Sequence, residues 1–179
     1  MRVEMGPIVL AVDLFFAAFF QDSIPAMTWI PVKFCFLTTV VLYMALTRSI
    51  RYALLTALLA GALTDALGGI PQPCTFFFFL FVVGAARFWK RTVPISNFLH
   101  GIVLTALCSL FQGIWTYLWL ESAYSLSFGQ WISRLGCLFL TGLIAGGVGF
   151  VWCDLVDRYS GLKKPVEEDN GVVWSETDR

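Results

Sequence analysis

Apolar residues fill the chain in six long runs, separated by short breaks. The runs extend from about Met5 to Phe20, Trp29 to Leu46, Ile50 to Leu67, Thr75 to Trp89, Phe98 to Leu120 and Trp131 to Leu155. The breaks read QDSIPAMT, LTRSIR, GGIPQP, KRTVPIS and ESAYSLSFGQ. A helix crosses the hydrocarbon of a bilayer in about 20 apolar residues, so each run predicts a transmembrane helix. Breaks this short make consecutive helices antiparallel neighbours. The expected fold is an all-α integral membrane protein of about six transmembrane helices with short loops, in one domain over residues 1–160. Residues 161–179 turn polar and acidic after Pro165 and predict a disordered cytoplasmic tail. The first run is short and carries Asp13. A signal peptide is its competing reading, but the run has no small-x-small cleavage site and only Arg2 as a positive charge in front.

Composition strengthens this picture. Of 179 residues, 58% are hydrophobic and 13% charged, whereas a soluble domain is about a quarter charged. Seventeen Phe and seven Trp would leave large apolar patches in water; lipid is the economical solvent for them. A net charge of zero gives no reason to expect a nucleic-acid partner. The five cysteines, Cys35, Cys74, Cys108, Cys137 and Cys153, form no CxxC and no metal-ligand spacing with the lone His100. They read as small apolar residues of helices.

The placement of Lys and Arg orients the bundle. Arg48 and Arg51, then Arg87, Lys90 and Arg91, then Arg158, Lys163 and Lys164 fall in alternate breaks and the tail. Residues 21–28 and 68–74 hold no Lys or Arg, and Glu121 is the one charge in 120–130. By the positive-inside rule both termini lie in the cytoplasm. Trp29, Trp119 and Trp131 then fall near the outer ends, and Trp89 and Trp152 near the inner ends, as an interfacial belt requires.

Helices in lipid associate by close packing, which small residues permit. In the third run Ala53, Ala57, Gly61 and Asp65 recur every four residues, and the sixth carries Gly142 and Gly146. These rows predict tight helix contacts within the bundle, or a smooth face for another protein's helix. The run TFFFFLFVVG predicts a Phe stripe that faces lipid or fills a wide gap between helices.

An ionisable group inside the hydrocarbon is costly and marks a candidate site. Asp65 near the outer end of the third run shares its depth with Lys33 and Arg134. An Asp65–Lys33 or Asp65–Arg134 pair would neutralise the carboxylate, and Asp13, set deeper, would join one of the same cations. Asp13, Lys33, Asp65 and Arg134 are thus a candidate buried charge network. It is either structural pairing or, with Gln112, the lining of a pocket open to the outside. No HExxH, GxSxG or P-loop occurs, and Asp13 and Asp65 lack the GxGD of an intramembrane protease. The expectation is a protein without catalytic, cofactor or metal residues.

The stretch ALLAGALTDALGGIPQPCTFFFFLFVVGAARFWKR carries a family resemblance. Glycine, an aspartate four residues on, a GG-x-P turn and an aromatic span with a basic inner end resemble the rod shape-determining protein MreD family. Gly61, Asp65, Gly69 and Pro71 match the family's run, while Gly68 stands where Ser is usual and Gln72-Pro73 replaces Leu-Gly. The resemblance implies a non-enzymatic component of the bacterial inner membrane, a scaffold of the cell-elongation machinery that governs cell shape through peptidoglycan synthesis. Its implied partners, besides membrane lipid, are an MreC-like protein and, through it, a RodA-type polymerase, a transpeptidase and MreB-type filaments. It also implies likeness to the fold of the S components of energy-coupling-factor transporters. A small-solute (vitamin) binding subunit of a transporter is therefore the alternative function.

Overall fold

The computed structural model describes residues 5–24, 34–68, 74–92, 98–120 and 128–160. Six α-helices occupy them: α1 (Met5–Ser23), α2 (Phe36–Thr47), α3 (Ile50–Gly68), α4 (Cys74–Thr92), α5 (Phe98–Leu120) and α6 (Phe128–Tyr159). Lys33, Gly69, Pro71 and the tail 161–179 lie outside the described residues.

The bundle is built around α2. Every residue from Phe36 to Leu46 is buried, and α2 touches each of the other five helices. An apolar helix with no polar face belongs inside a structure, not at its boundary. The sequence predicts a helix from Trp29; the observed one starts at Phe36, after the non-helical Phe34 and Cys35. A tertiary contact marks this start. The Leu37 N–H, which has no partner within its own helix, donates to Oε1 of Gln21 on α1 at 3.2 Å. The 12 residues of α2 rise about 18 Å, short of the roughly 30 Å of hydrocarbon.

Around this rod, α3 and α4 form one antiparallel hairpin and α5 and α6 another, with α1 laid across α2, α3 and α6. Among the described residues, three helices are long and apolar enough to cross a membrane, within Gly6–Ser23, Ile50–Leu67 and Gly129–Tyr159. α6, at 32 residues, extends beyond the predicted run at both ends. Its last turn is held by an Arg158–Asp154 ion pair at 2.7 Å and by Asp157, which is drawn into the bundle.

The distribution of side chains is consistent with lipid as the solvent. Phe15, Phe19, Phe77, Phe81, Phe88, Leu99 and Phe111 all face outward, while the interior holds Ala, Thr and three aspartates. Soluble monomers rarely expose apolar surface on this scale, which marks a membrane or protein interaction surface. The α4 Phe run divides by helical periodicity: Phe78 and Phe79 are buried, Phe77 and Phe81 exposed. Buried threonines satisfy themselves locally. Thr39, Thr56, Thr105 and Thr141 each donate to the carbonyl four residues back, so their hydroxyls add no unpaired group to the core.

Small residues set the closest approaches. A Cβ added at Gly61 would lie 2.7 Å from the Phe76 Cα, so α3 and α4 meet there backbone to backbone. On α6, a Cβ at Gly142 would lie 2.8 Å from the Ala106 Cα of α5, and one at Gly146 3.2 Å from the Ile102 Cα. Ala53 and Ala57 are fully buried on α3.

Candidate functional site

Polar side chains link the helices at three levels of the bundle. At the end assigned to the outer leaflet, Asp65 occupies the last turn of α3 and is 8% exposed. Its Oδ1 accepts the backbone N–H of Thr75 at 3.3 Å, in the first turn of α4. The first N–H groups of a helix have no partner within it, and its N-terminus attracts negative charge. Asp65 therefore caps the helix that follows its own. This replaces the expected pairing with Arg134, which is exposed on α6. Lys33, the other proposed partner, lies outside the described residues.

At mid-depth, Thr38 of α2 donates its hydroxyl to Oε1 of Gln112 on α5 at 2.6 Å. Gln112 is the polar group that the apolar α5 would otherwise leave unpaired, and one hydroxyl of the central helix meets it.

The densest cluster lies at the opposite end, where Arg48 follows α2 and Asp157 sits in the last turns of α6. The Arg48 guanidinium donates to Asp157 Oδ1 at 2.6 Å, and the Tyr43 hydroxyl donates to Oδ2 at 2.8 Å. Both carboxylate oxygens are thus engaged by α2. Arg48 closes α2 through its own backbone, its N–H donating to the Met44 carbonyl at 3.0 Å. Its carbonyl accepts from the Arg87 guanidinium of α4. One residue so joins α2, α4 and α6. Tyr43 also packs edge-on against Phe150, with ring centroids 5.5 Å apart.

Asp13 belongs to this inner cluster. It is fully buried on α1, within electrostatic reach of Asp157 and Arg48 and beside Trp152. Asp13 thus lies near Asp157 and Arg48, whereas Asp65 caps α4; Lys33, a proposed partner of both, lies outside the described residues. Of the predicted network, the described members Asp13, Asp65 and Arg134 are a buried acid near Arg48, a cap on α4 and an exposed cation.

Asp157 and Tyr43 were not singled out by sequence reasoning, and Arg48 served only to orient the chain. A signal for Asp157 was present. Gly142, Gly146, Phe150, Cys153 and Asp157 recur at helical spacing, and all five are buried. An aspartate continuing a buried row needs a partner. The cluster offers no nucleophile paired with a base. Among the described residues no three His, Cys, Asp or Glu side chains stand together as metal ligands. What it can do chemically is neutralise charge and fix helices to one another.

The fold is an all-α six-helix bundle whose interior polar groups tie helix to helix, and its three long apolar helices are consistent with a multi-pass membrane protein. Comparison with protein-family models, with curated proteins and with solved structures finds no match.

Proposed function

We propose that this protein is a non-enzymatic, multi-pass scaffold of the bacterial inner membrane, a component of the cell-elongation machinery of the MreD type. In this reading all six helices lie in the bilayer and the fold is of the S-component kind. The protein docks an MreC-like partner through helix contacts. Through that partner it meets a RodA-type polymerase, its transpeptidase and MreB-type filaments, so that peptidoglycan synthesis follows the cell's long axis.

The observation that carries the reading is the α3–α4 hairpin. The residues that bear the family resemblance include those that join these helices: Gly61 against Phe76, and Asp65 on the N–H of Thr75. A motif in which glycine permits contact and aspartate caps the next helix is a motif of architecture. The alternative, a solute-binding subunit, needs Asp13, Lys33, Asp65, Gln112 and Arg134 to line one outward pocket. Asp13 lies near Asp157 and Arg48, Gln112 is engaged by Thr38 and Arg134 is exposed, which favours the scaffold.

Affinity purification of the full chain from its own membranes in mild detergent, with mass spectrometry of proteins and small molecules, tests the proposal. Recovery of wall-elongation proteins supports it. Recovery of an ATPase module with a bound vitamin overturns it.

A further inference from the structure

The one buried carboxylate that the helix-joining scheme does not use is Asp13. It is fully buried, and neither of its oxygens makes a hydrogen bond of good geometry. Beside it lies the Trp152 indole N–H, also buried, a donor within reach of the carboxylate. The Trp152 ring is wedged against Phe16, one turn from Asp13 on the same helix, with centroids 4.6 Å apart. The indole N–H thus stands within interaction reach of the acid, although neither makes a hydrogen bond of good geometry. Buried charge met only by an indole N–H and a more distant guanidinium costs several kcal/mol, so the ionised Asp13 is poorly compensated.

We propose that Asp13 is a reversible proton-binding site at the junction of α1, α2 and α6. Its carboxylate takes one proton from water on the cytoplasmic side and becomes a neutral acid; release returns that proton and restores the anion.

The neighbours favour a proton over a metal ion. Asp157, the other acid within reach, has both oxygens engaged by Arg48 and Tyr43. The Arg48 guanidinium repels any second cation, and no group of three metal-ligating side chains occurs among the described residues. The groups that face Asp13 also give each protonation state a reason to exist. From α6 come Asp157, a like charge, the buried Cys153 and the Trp152 N–H; Asp154, nearby on α6, is held by Arg158. From α2 comes Arg48, with Tyr43 on the far side of Asp157. From α3, Tyr52 meets α1 at Gly6, about two turns from Asp13, and Arg51 is exposed. The neutral acid suits the apolar walls and the charge of Asp157. The anion meets Arg48 and an indole N–H ready to donate. Release of the proton adds a second negative charge within electrostatic reach of Asp157 across the α1–α6 contact, so proton occupancy governs how firmly α1 is held.

Infrared spectroscopy of the full chain in lipid nanodiscs, titrated from acid to alkaline pH, tests this. The expected result is a carbonyl stretch of a protonated buried acid that shifts in heavy water and disappears reversibly as pH rises. It is lost in Asp13→Asn and retained in Asp65→Asn. If Asp13→Asn does not fold, carbon-13 labelling of aspartate carboxyls in the unsubstituted chain, with Asp65→Asn and Asp157→Asn, assigns the band by elimination. The proposal is overturned if no aspartate band is found, or if the band never titrates. It is equally overturned if the band persists in Asp13→Asn, or responds to sodium at fixed pH in place of protons.

Discussion

The guanidinium of Arg48 and the carboxylate of Asp157, 109 positions apart, meet at 2.6 Å and fasten the end of the central helix to the end of the last one. The Asp157 side chain is 5% exposed and that of Arg48 24%. Removing one partner of a buried pair leaves the other charge uncompensated. Arg48→Ala or Asp157→Ala is expected to lower stability by about 3 kcal/mol, and the double variant by less than the sum. Thermal unfolding in detergent measures both. Arg158→Ala, whose pair with Asp154 is largely exposed, is expected to cost less than about 0.5 kcal/mol.

Tyr43 donates to the same carboxylate from a fully buried position. Tyr43→Phe keeps the packing on Phe150 and deletes that bond. A loss of about 1.5 kcal/mol is expected, the range for a hydrogen bond to a charged group. An unchanged unfolding midpoint would contradict the assignment.

Asp65 serves as an acceptor at the α4 N-terminus, so its substitutions should separate shape from chemistry. Asp65→Asn retains an oxygen for the Thr75 N–H and is expected to keep most of the folded yield. Asp65→Ala removes it and is expected to cost about 1 kcal/mol, as loss of an N-cap does. Fluorescence-detected size-exclusion chromatography ranks the two.

The glycines divide by what lies opposite them. Gly61→Ala and Gly142→Ala push a methyl into neighbouring backbone and are expected to destabilise by about 1–3 kcal/mol, the cost of overpacking. Gly84→Ala and Gly147→Ala meet nothing within 4 Å and should be neutral or mildly stabilising, because alanine favours the helix. Unfolding midpoints of the four variants give the comparison.

Much of the architecture was legible in the chain because hydropathy and small-residue spacing are local signals. Six apolar runs correspond to six helices, and the Phe run of α4 sorts by its own periodicity into buried and exposed members. The start of α2 was not legible: Gln21, on another helix, caps it, and no local feature announces that. The same limit applies to the charges. Shared depth paired Asp65 with Lys33 and Arg134, but depth says nothing about which way a side chain points around its helix. Arg134 points outward, and Asp65 finds a backbone N–H ten residues on. Asp157 was hidden because it lies beside Asp154 and Arg158, and the whole segment resembles a solvated helix end. Only its phase with Gly146, Phe150 and Cys153 distinguishes it.

The claim of a wall-elongation scaffold is tested most directly by depleting the protein in its own bacterium while following cell shape and sites of new peptidoglycan. The account predicts that rod-shaped cells round up, that wall synthesis disperses over the surface, and that re-expressing the chain restores both. Cells that keep their rod shape and wall pattern, and lose instead the uptake of a small solute, would contradict it.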